Sequence, residues 1–510
     1  MSGAAPTDGP PPGPAFGLRL AGGLLGVLMA AMLAGLNNRV GALGLADIRG
    51  AHGWSSDDAS WLSSVYLAGE LAVMPFATWC AITFSLKRFQ FATLGMAMLL
   101  AVLMPWVNNL PTLLVLRGLQ GFFCGAQIPV LMMVALRFLP PPIRLHGLAL
   151  YALTATFAPN LAIWLTGQWV DHLFNWQWLY WQVIPMGMMA IALIQWGIPD
   201  MPSALPRLKQ ANWVGLVFGM AGLILIAIGL DQANRLDWWR SPWVSASLLA
   251  GSGLVIAFLI TEWFHPAPFI KLQLLARRNL GLGFSIFFVL LITMLSGSML
   301  PSTLLGHVQG FRSDQMAAIG LVIALPQLVL GPLVALLLYQ RWVDARVVFA
   351  LGFVCIALAC WMASQVTSEW MVHEFLIAQA LQAIGQPMAV VPLLFLATSV
   401  VQPMEGPYVS GIVNTLRAFG TLFGSALMGR LETLRADQHS EMLIDHAGLT
   451  LGQPQATDWL HTLAQPLAEQ ATVLATADCY RVLGLLAVVL IPCALCMKHI
   501  PAPTITRTAH

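Results

Sequence analysis

Long apolar runs separated by short polar stretches repeat along almost the whole chain. A helix that crosses a bilayer takes about 20 mostly apolar residues. Runs of that length lie near residues 18–46, 61–84, 89–107, 110–137, 144–170, 177–198, 212–231, 241–263, 279–306, 314–339, 347–366, 371–400, 407–430 and 480–498, which predicts fourteen spans. Basic loops fall at every second connection: Lys87 and Arg88, Arg137 and Arg144, Arg207 and Lys209, Lys271 with Arg277 and Arg278, Arg341 and Arg346, then Lys498 and Arg507. Positive charge stays on the cytoplasmic side, so these loops and both termini are predicted there. The opposite loops carry Asp47, Asp57, Asp58, Asp171, Asp231, Asp237, Glu369 and Glu374.

Composition agrees. Of 510 residues, 58% are hydrophobic and only 9% charged, against roughly a quarter charged in soluble domains. The chain is read as an all-α polytopic membrane protein. A net charge of +2 speaks against a nucleic-acid partner. The seven cysteines sit almost wholly in apolar runs and read as small hydrophobes, including Cys493 and Cys496. Residues 1–17 are rich in Pro and Gly, lack a basic n-region, and predict a short disordered tail before a retained first helix. Residues 431–479 are polar enough to leave the membrane on the outer side and contain amphipathic pieces, read either as a cap or as a docking surface.

Charges inside apolar runs are costly, so such groups face a bundle interior or a watery cavity and tend to pair. Arg39 lies near the end of the first run, Glu70 at a similar depth in the second, and Arg117 at a comparable level in the fourth. Two readings stand for them. In one, Glu70 and Arg39 form a fixed ion pair between the first two helices and Arg117 satisfies backbone carbonyls. In the other, Glu70 titrates, and its protonation releases Arg39 to receive a carboxylate-bearing substrate. Gln379, Gln382 and Gln386 recur at helical spacing, as cavity wall or as interhelical hydrogen-bond formers. Asn414 and Arg417 share one helix face. No metal-ligand cluster, nucleophile elbow or phosphate-binding glycine loop is present, so neither an enzyme nor a cofactor is predicted.

Two runs resemble each other: LPTLLVLRGLQGFFCGAQIP (110–129) and HEFLIAQALQAIGQPMAVVP (373–392) share a Leu-Gln-small core. A repeat of this kind suits a transporter with its site between halves near the midplane. The chain resembles the major facilitator superfamily, in particular its fourteen-helix EmrB/QacA-like drug:proton antiporters. LRGLQGFFCG is similar to that superfamily's RGxxQG motif, with Arg117 and Gln120. FAPNLAIWLTGQW is similar to the antiporter motif, of which Pro159 and Gly167 remain. YVSGIVNTLRAFGTLFGSAL resembles the penultimate helix. LNNRVGALGLADI lines up with the end of the first helix, but Asn37 stands at the usual aspartate and Arg39 at a threonine.

The resemblance implies a major facilitator fold of 14 transmembrane helices: a six-helix bundle over 18–198, a linker with two added helices over 199–277, and a second bundle over 278–500 that includes 431–479, followed by a tail, 501–510. It implies proton-coupled efflux of amphipathic, acidic or aromatic small molecules across the bacterial inner membrane. A periplasmic membrane-fusion adaptor and an outer-membrane channel are implied partners. Export of cationic lipophilic compounds, or facilitation of a siderophore or metabolite without protons, are the alternatives. Glu70 is then the proton-coupling group, with Asn37, Arg39, Arg117, Gln120, Gln382, Gln386, Asn414 and Arg417 toward the substrate. Gating falls to Pro159, Arg341, Asp344 and Arg346, since the loop after the second helix, ITFSLKRFQ, lacks the superfamily's acid.

Overall fold

The computed structural model describes residues 17–140, 143–451 and 458–502, without the side chains of 447–451 and 458–463. All but Gly17 of the predicted N-terminal tail, and all but two residues of the C-terminal one, lie outside the described residues.

Every regular element among the described residues is a helix. In lipid only helices and closed barrels satisfy their own backbone, and runs this long and unalternated close i to i−4 bonds. The first group comprises α1 (Leu18–Leu43), α2 (Leu45–His52), α3 (Ser56–Thr83), α4 (Leu86–Leu103), α5 (Leu110–Gly125), α6 (Gln127–Phe138), α7 (Arg144–Thr156), α8 (Ala158–Gly167), α9 (Trp178–Trp181) and α10 (Val183–Gly197). Two helices follow, α11 (Trp213–Ala233) and α12 (Pro242–Phe264). The second group is α13 (Arg278–Thr293), α14 (Leu295–Ser298), α15 (Leu300–Val308), α16 (Ala317–Leu338), α17 (Ala345–Ala363), α18 (Val372–Thr398), α19 (Gly406–Leu451) and α20 (Asp458–Leu495).

Several spans are interrupted. Breaks at Ala126, Phe157 and Met299 each fall two or three residues before a proline, Pro129, Pro159 and Pro301. Proline has no N–H and its ring crowds the carbonyl four residues back, so the helix opens there. The α7–α8 break bends its span by 45°.

Among the described residues, twelve helical stretches are long and apolar enough to cross a membrane, and the bent α7–α8 pair makes a thirteenth. The predicted run 407–430 is helical too, but it opens α19, where Ser410, Asn414 and Arg417 are buried and lower its apolarity. The segment 431–479 is helical rather than loop-like wherever it is described. At 46 residues, α19 is about 69 Å long by its rise, more than twice the ~30 Å apolar thickness of a bilayer. Its far part pairs with α20 through His439 and Asp478, 2.9 Å apart, and Glu432 and Thr476, 3.5 Å apart.

Of the two added helices, the first is not peripheral. α11 packs on α3 of the first group and on α19 of the second, where Asn234 donates to the Ala426 carbonyl at 3.1 Å. α12 turns Leu249, Ile256 and Ile260 outward, an apolar face suited to lipid.

Candidate functional site

A cavity of about 390 Å³ opens where the two groups meet. Arg39 of α1, Glu70 of α3, Pro159 of α8, Asp231 of α11, Ser298 of α14 and Arg417 of α19 all line it. Leu71, Met74, Leu291, Met294 and Leu422 supply apolar wall. Two arginines, two carboxylates and a greasy surface therefore share one chamber, a composition that suits an amphipathic ligand with charged or hydrogen-bonding ends.

The expected Glu70–Arg39 ion pair is not formed. Asn38 Nδ2 donates to Glu70 Oε2 at 2.9 Å, while Arg39 Nη2 donates to the Ser298 carbonyl at 2.9 Å. The reason lies across the cavity. α13, α14 and α15 are one span broken at Met294 and Met299, and the break leaves carbonyls without helical partners. Arg39 takes one of these from the other group of helices, and Gln379 Nε2 takes the neighbouring Gly297 carbonyl at 3.0 Å. Arg39 Nε stays buried with no acceptor in the chain, so the guanidinium keeps a free donor beside the chamber.

Arg417 Nη1 and Nη2 bond Thr154 Oγ1 and the Thr154 carbonyl, each at 2.5 Å. Asn414, one turn earlier, accepts from Tyr151 Oη at 2.8 Å, and so tethers α19 to α7 rather than facing the cavity. Gln382 donates across to Ser296 Oγ at 2.7 Å, and Gln386 donates to Gln382 Oε1 at 3.4 Å one turn away on the same helix, so the row is tied up in hydrogen bonds to α14 and within α18.

Arg117 is placed elsewhere. Its guanidinium lies 4.4 Å from the Tyr66 ring centroid, donates to Gln120 Oε1 at 2.6 Å and to the Asn37 carbonyl at 3.3 Å. Gly41 admits it, because a Cβ there would overlap the guanidinium. Asn37 is fully buried and its Nδ2 reaches Tyr66 Oη at 3.2 Å. Arg117, Gln120 and Asn37 thus form a buried knot among α1, α3 and α5, outside the cavity lining.

The two ends of the bundle differ. At the end opposite the basic loops, a π-helical turn, Gln168–His172, carries Asp171. Arg312, between α15 and α16, reaches Asp47 at 2.8 Å and Asp171 at 2.5 Å, and His172 meets Asp314 at 2.9 Å. These ion pairs join the two helix groups. At the basic end, Lys87 pairs with Asp200 at 2.9 Å, and its hydrogen bond holds that exposed carboxyl below the usual carboxylate range. The acid absent from ITFSLKRFQ is thus supplied after α10. Asp344 caps α17 and pairs with Arg346 at 2.7 Å, and Arg346 reaches the Met497 carbonyl at 3.3 Å. Both contacts stay within the second group, and Arg341 is exposed.

Asp231 is the residue that sequence reasoning misplaced. It is the last residue of its apolar run and reads as part of an outer loop, but α11 continues through Ala233 and turns it toward α3. Its helical register against Ser64 was the only available signal.

Residues 24–264 match the family model for the Major Facilitator Superfamily. Among curated proteins, the chain is 24% identical over 501 residues to the fatty acid resistance protein FarB of Neisseria gonorrhoeae, covering 94% of this chain and 96% of that one. It is 25% identical over 432 residues to the colistin resistance protein EmrB of Acinetobacter baumannii, covering 79% of each. Among solved structures, the proton:xylose symporter XylE superposes with a TM-score of 0.57 at 12% identity, over 95% of this chain and 97% of that one, a likeness of fold.

Proposed function

Residues 24–264 match the Major Facilitator Superfamily model, and from that likeness we propose that the chain is a major facilitator that exports carboxylate-bearing amphiphiles in exchange for protons. The cavity carries this reading: Arg39, Arg417 and Glu70 line one partly apolar chamber between the two helix groups. The relatives named for resistance to fatty acids and to colistin support the export direction.

Electrostatics fixes what exchange requires. A proton on Glu70 removes a negative charge near the arginines, so a simple anion and the proton would bind together, which is the reverse of exchange. Exchange needs the substrate to use the ionised carboxylate. The substrate therefore bears a carboxylate for Arg39 and Arg417 and a hydrogen-bond donor, neutral or cationic, for Glu70. Protonation of Glu70 removes its charge and turns one of its two oxygens into a donor, which weakens its hold on the donor end and releases it. Arg39 then returns to Ser298, which restores its link across the cavity.

The bundles 18–198 and 278–500 would rock about this cavity, with 199–277 between them. Export sets the basic loops and both termini in the cytoplasm of a bacterial inner membrane. The Arg312 end and the α19–α20 hairpin then face outward, where a periplasmic adaptor and an outer-membrane channel would meet the carrier.

The test is accumulation in pump-deficient bacteria of norfloxacin (carboxylate and ammonium), dodecanoate (carboxylate only) and ethidium (cation only), with and without a protonophore. Norfloxacin should be excluded by the wild type, retained when the protonophore is added, and retained by Glu70→Gln. Exclusion of ethidium but not norfloxacin would replace this reading with export of cationic lipophiles.

A further inference from the structure

The second carboxylate of the chamber comes from a helix that lies outside both bundles. Asp231 lines the same cavity as Glu70, and Ser64 Oγ donates to its Oδ2 at 2.5 Å. The direction of that bond is set by the next one, because Gln232 Nε2 donates to Ser64 Oγ at 2.5 Å. With its oxygen already accepting, the serine has its own proton to give, and Asp231 is the nearer acceptor, the Ser60 carbonyl lying at 3.3 Å. Gln232 is held in turn: Arg235 Nε donates to its Oε1 at 2.6 Å, and Arg235 pairs with Asp57 at 3.5 Å. This array runs along α3 from the surface inward through positions 57, 60 and 64, and Glu70 lies about 9 Å further along the same axis.

The charged surroundings of Asp231 are few. α3 presents Asp57 at the surface and Glu70 in depth, and α19 presents Arg417 in the cavity. Arg430 of α19 is engaged by Asp237 at 3.1 Å. Residues 242–261 of α12, which pack along α11, include no Asp, Glu, Lys, Arg or His. Neither arginine of the cavity is ion-paired with Asp231, whose hydrogen-bond partner is a neutral hydroxyl. A carboxylate that lines an open chamber, is paired with neither cavity arginine and is held by a single hydroxyl can take up and give back a proton without breaking a helix contact.

We infer that Asp231 is a second proton-carrying carboxylate of the cavity, so that the added helix α11 takes part in coupling. With both carboxylates ionised the two arginines are balanced and the chamber is neutral; with both protonated it is left with two positive charges. A substrate whose ammonium end is balanced by both ionised carboxylates displaces two protons as it binds, one from Glu70 and one from Asp231. This rests on the reading of the cavity as a proton-coupled one.

The experiment uses full-length protein, purified, in two arms. In the first, norfloxacin is added in weakly buffered solution and the protons released per norfloxacin bound are read with a pH indicator. Wild type should release two, Asp231→Asn one, Glu70→Gln one, and the double variant none. The asparagine still accepts from Ser64 through its amide oxygen, so a purely structural Asp231 would leave release at the wild-type value, which overturns the inference. Should Glu70→Gln release as many as wild type while Asp231→Asn loses one, the Glu70 assignment fails and Asp231 stands.

The second arm needs no substrate: pH-induced infrared difference spectra of reconstituted protein. Asp231→Asn should remove a protonated-carboxyl band different from the one Glu70→Gln removes, and Asp231→Glu should restore a shifted one. Bands unchanged by Asp231→Asn overturn the inference even if norfloxacin does not bind.

Discussion

Arg39 shows how much one side chain's role depends on its surroundings. Its depth and charge mark it in the sequence as a functional candidate, yet its partner is not the carboxylate at matching depth but a carbonyl exposed by a helix break on the far side of the cavity. A lysine keeps the charge but offers no planar fork that spans Ser298 and a ligand carboxylate. We expect Arg39→Lys to weaken norfloxacin binding about tenfold, the loss of one charge-assisted hydrogen bond, as read by fluorescence titration. Ser85 is a second case. It joins α3 to α4 with φ of 76° and ψ of 131° and is buried, a sparsely populated conformation that costs a non-glycine residue about 1–3 kcal/mol. Ser85→Gly should raise the thermal midpoint in detergent, since it removes that strain from the folded state.

At the scale of elements, the apolar runs announce the helices, and prolines mark most of the interruptions, because both effects are local. The pairing of α19 with α20 beyond the membrane is not local. The sequence shows amphipathic pieces over 431–479, but their continuity with the membrane helices depends on mutual contacts such as His439 with Asp478. One junction between elements carries a pH signature. Arg277, just before α13, forms a two-pronged pair with Glu405, just before α19, at 2.7 Å on each prong. These hydrogen bonds hold the Glu405 carboxyl below its ordinary range. A depressed folded-state value means that the pair stabilises above the unfolded carboxyl's value, about 4.3, and that this contribution is lost as pH falls through the lower folded value. Thermal unfolding from neutral pH down to about 3 should show a decline in the wild type that Glu405→Gln lacks, with the two closest at the acid end.

At the scale of the whole molecule, Arg312 and its two aspartates close one end of the interface between the helix groups. Alternating access requires that end to open, and the ion pairs that bridge it must part when it does. Arg312→Ala should bias the carrier toward the state open at that end. With Ser298→Cys as a reporter beside the cavity, labelling by a membrane-impermeant thiol reagent added from that side should speed up several-fold. Unchanged labelling would show that other contacts hold this end shut.

The sequence by itself determined that this is a multi-pass helical membrane protein, that it resembles the major facilitator superfamily, and that Glu70, Arg39 and Arg417 are charges in need of an explanation. Each of these follows from neighbours along the chain: apolar length, short motifs, and a charge set in an apolar run. Only the tertiary structure decided which charges meet. It separated Arg117 from the cavity, gave Arg39 to Ser298 and Glu70 to Asn38, and brought Asp231 in from a helix outside both bundles. The reason is geometric. A residue's depth in the membrane is nearly linear in its sequence position, whereas its azimuth, and so its partner, is set by how whole helices pack and where they break.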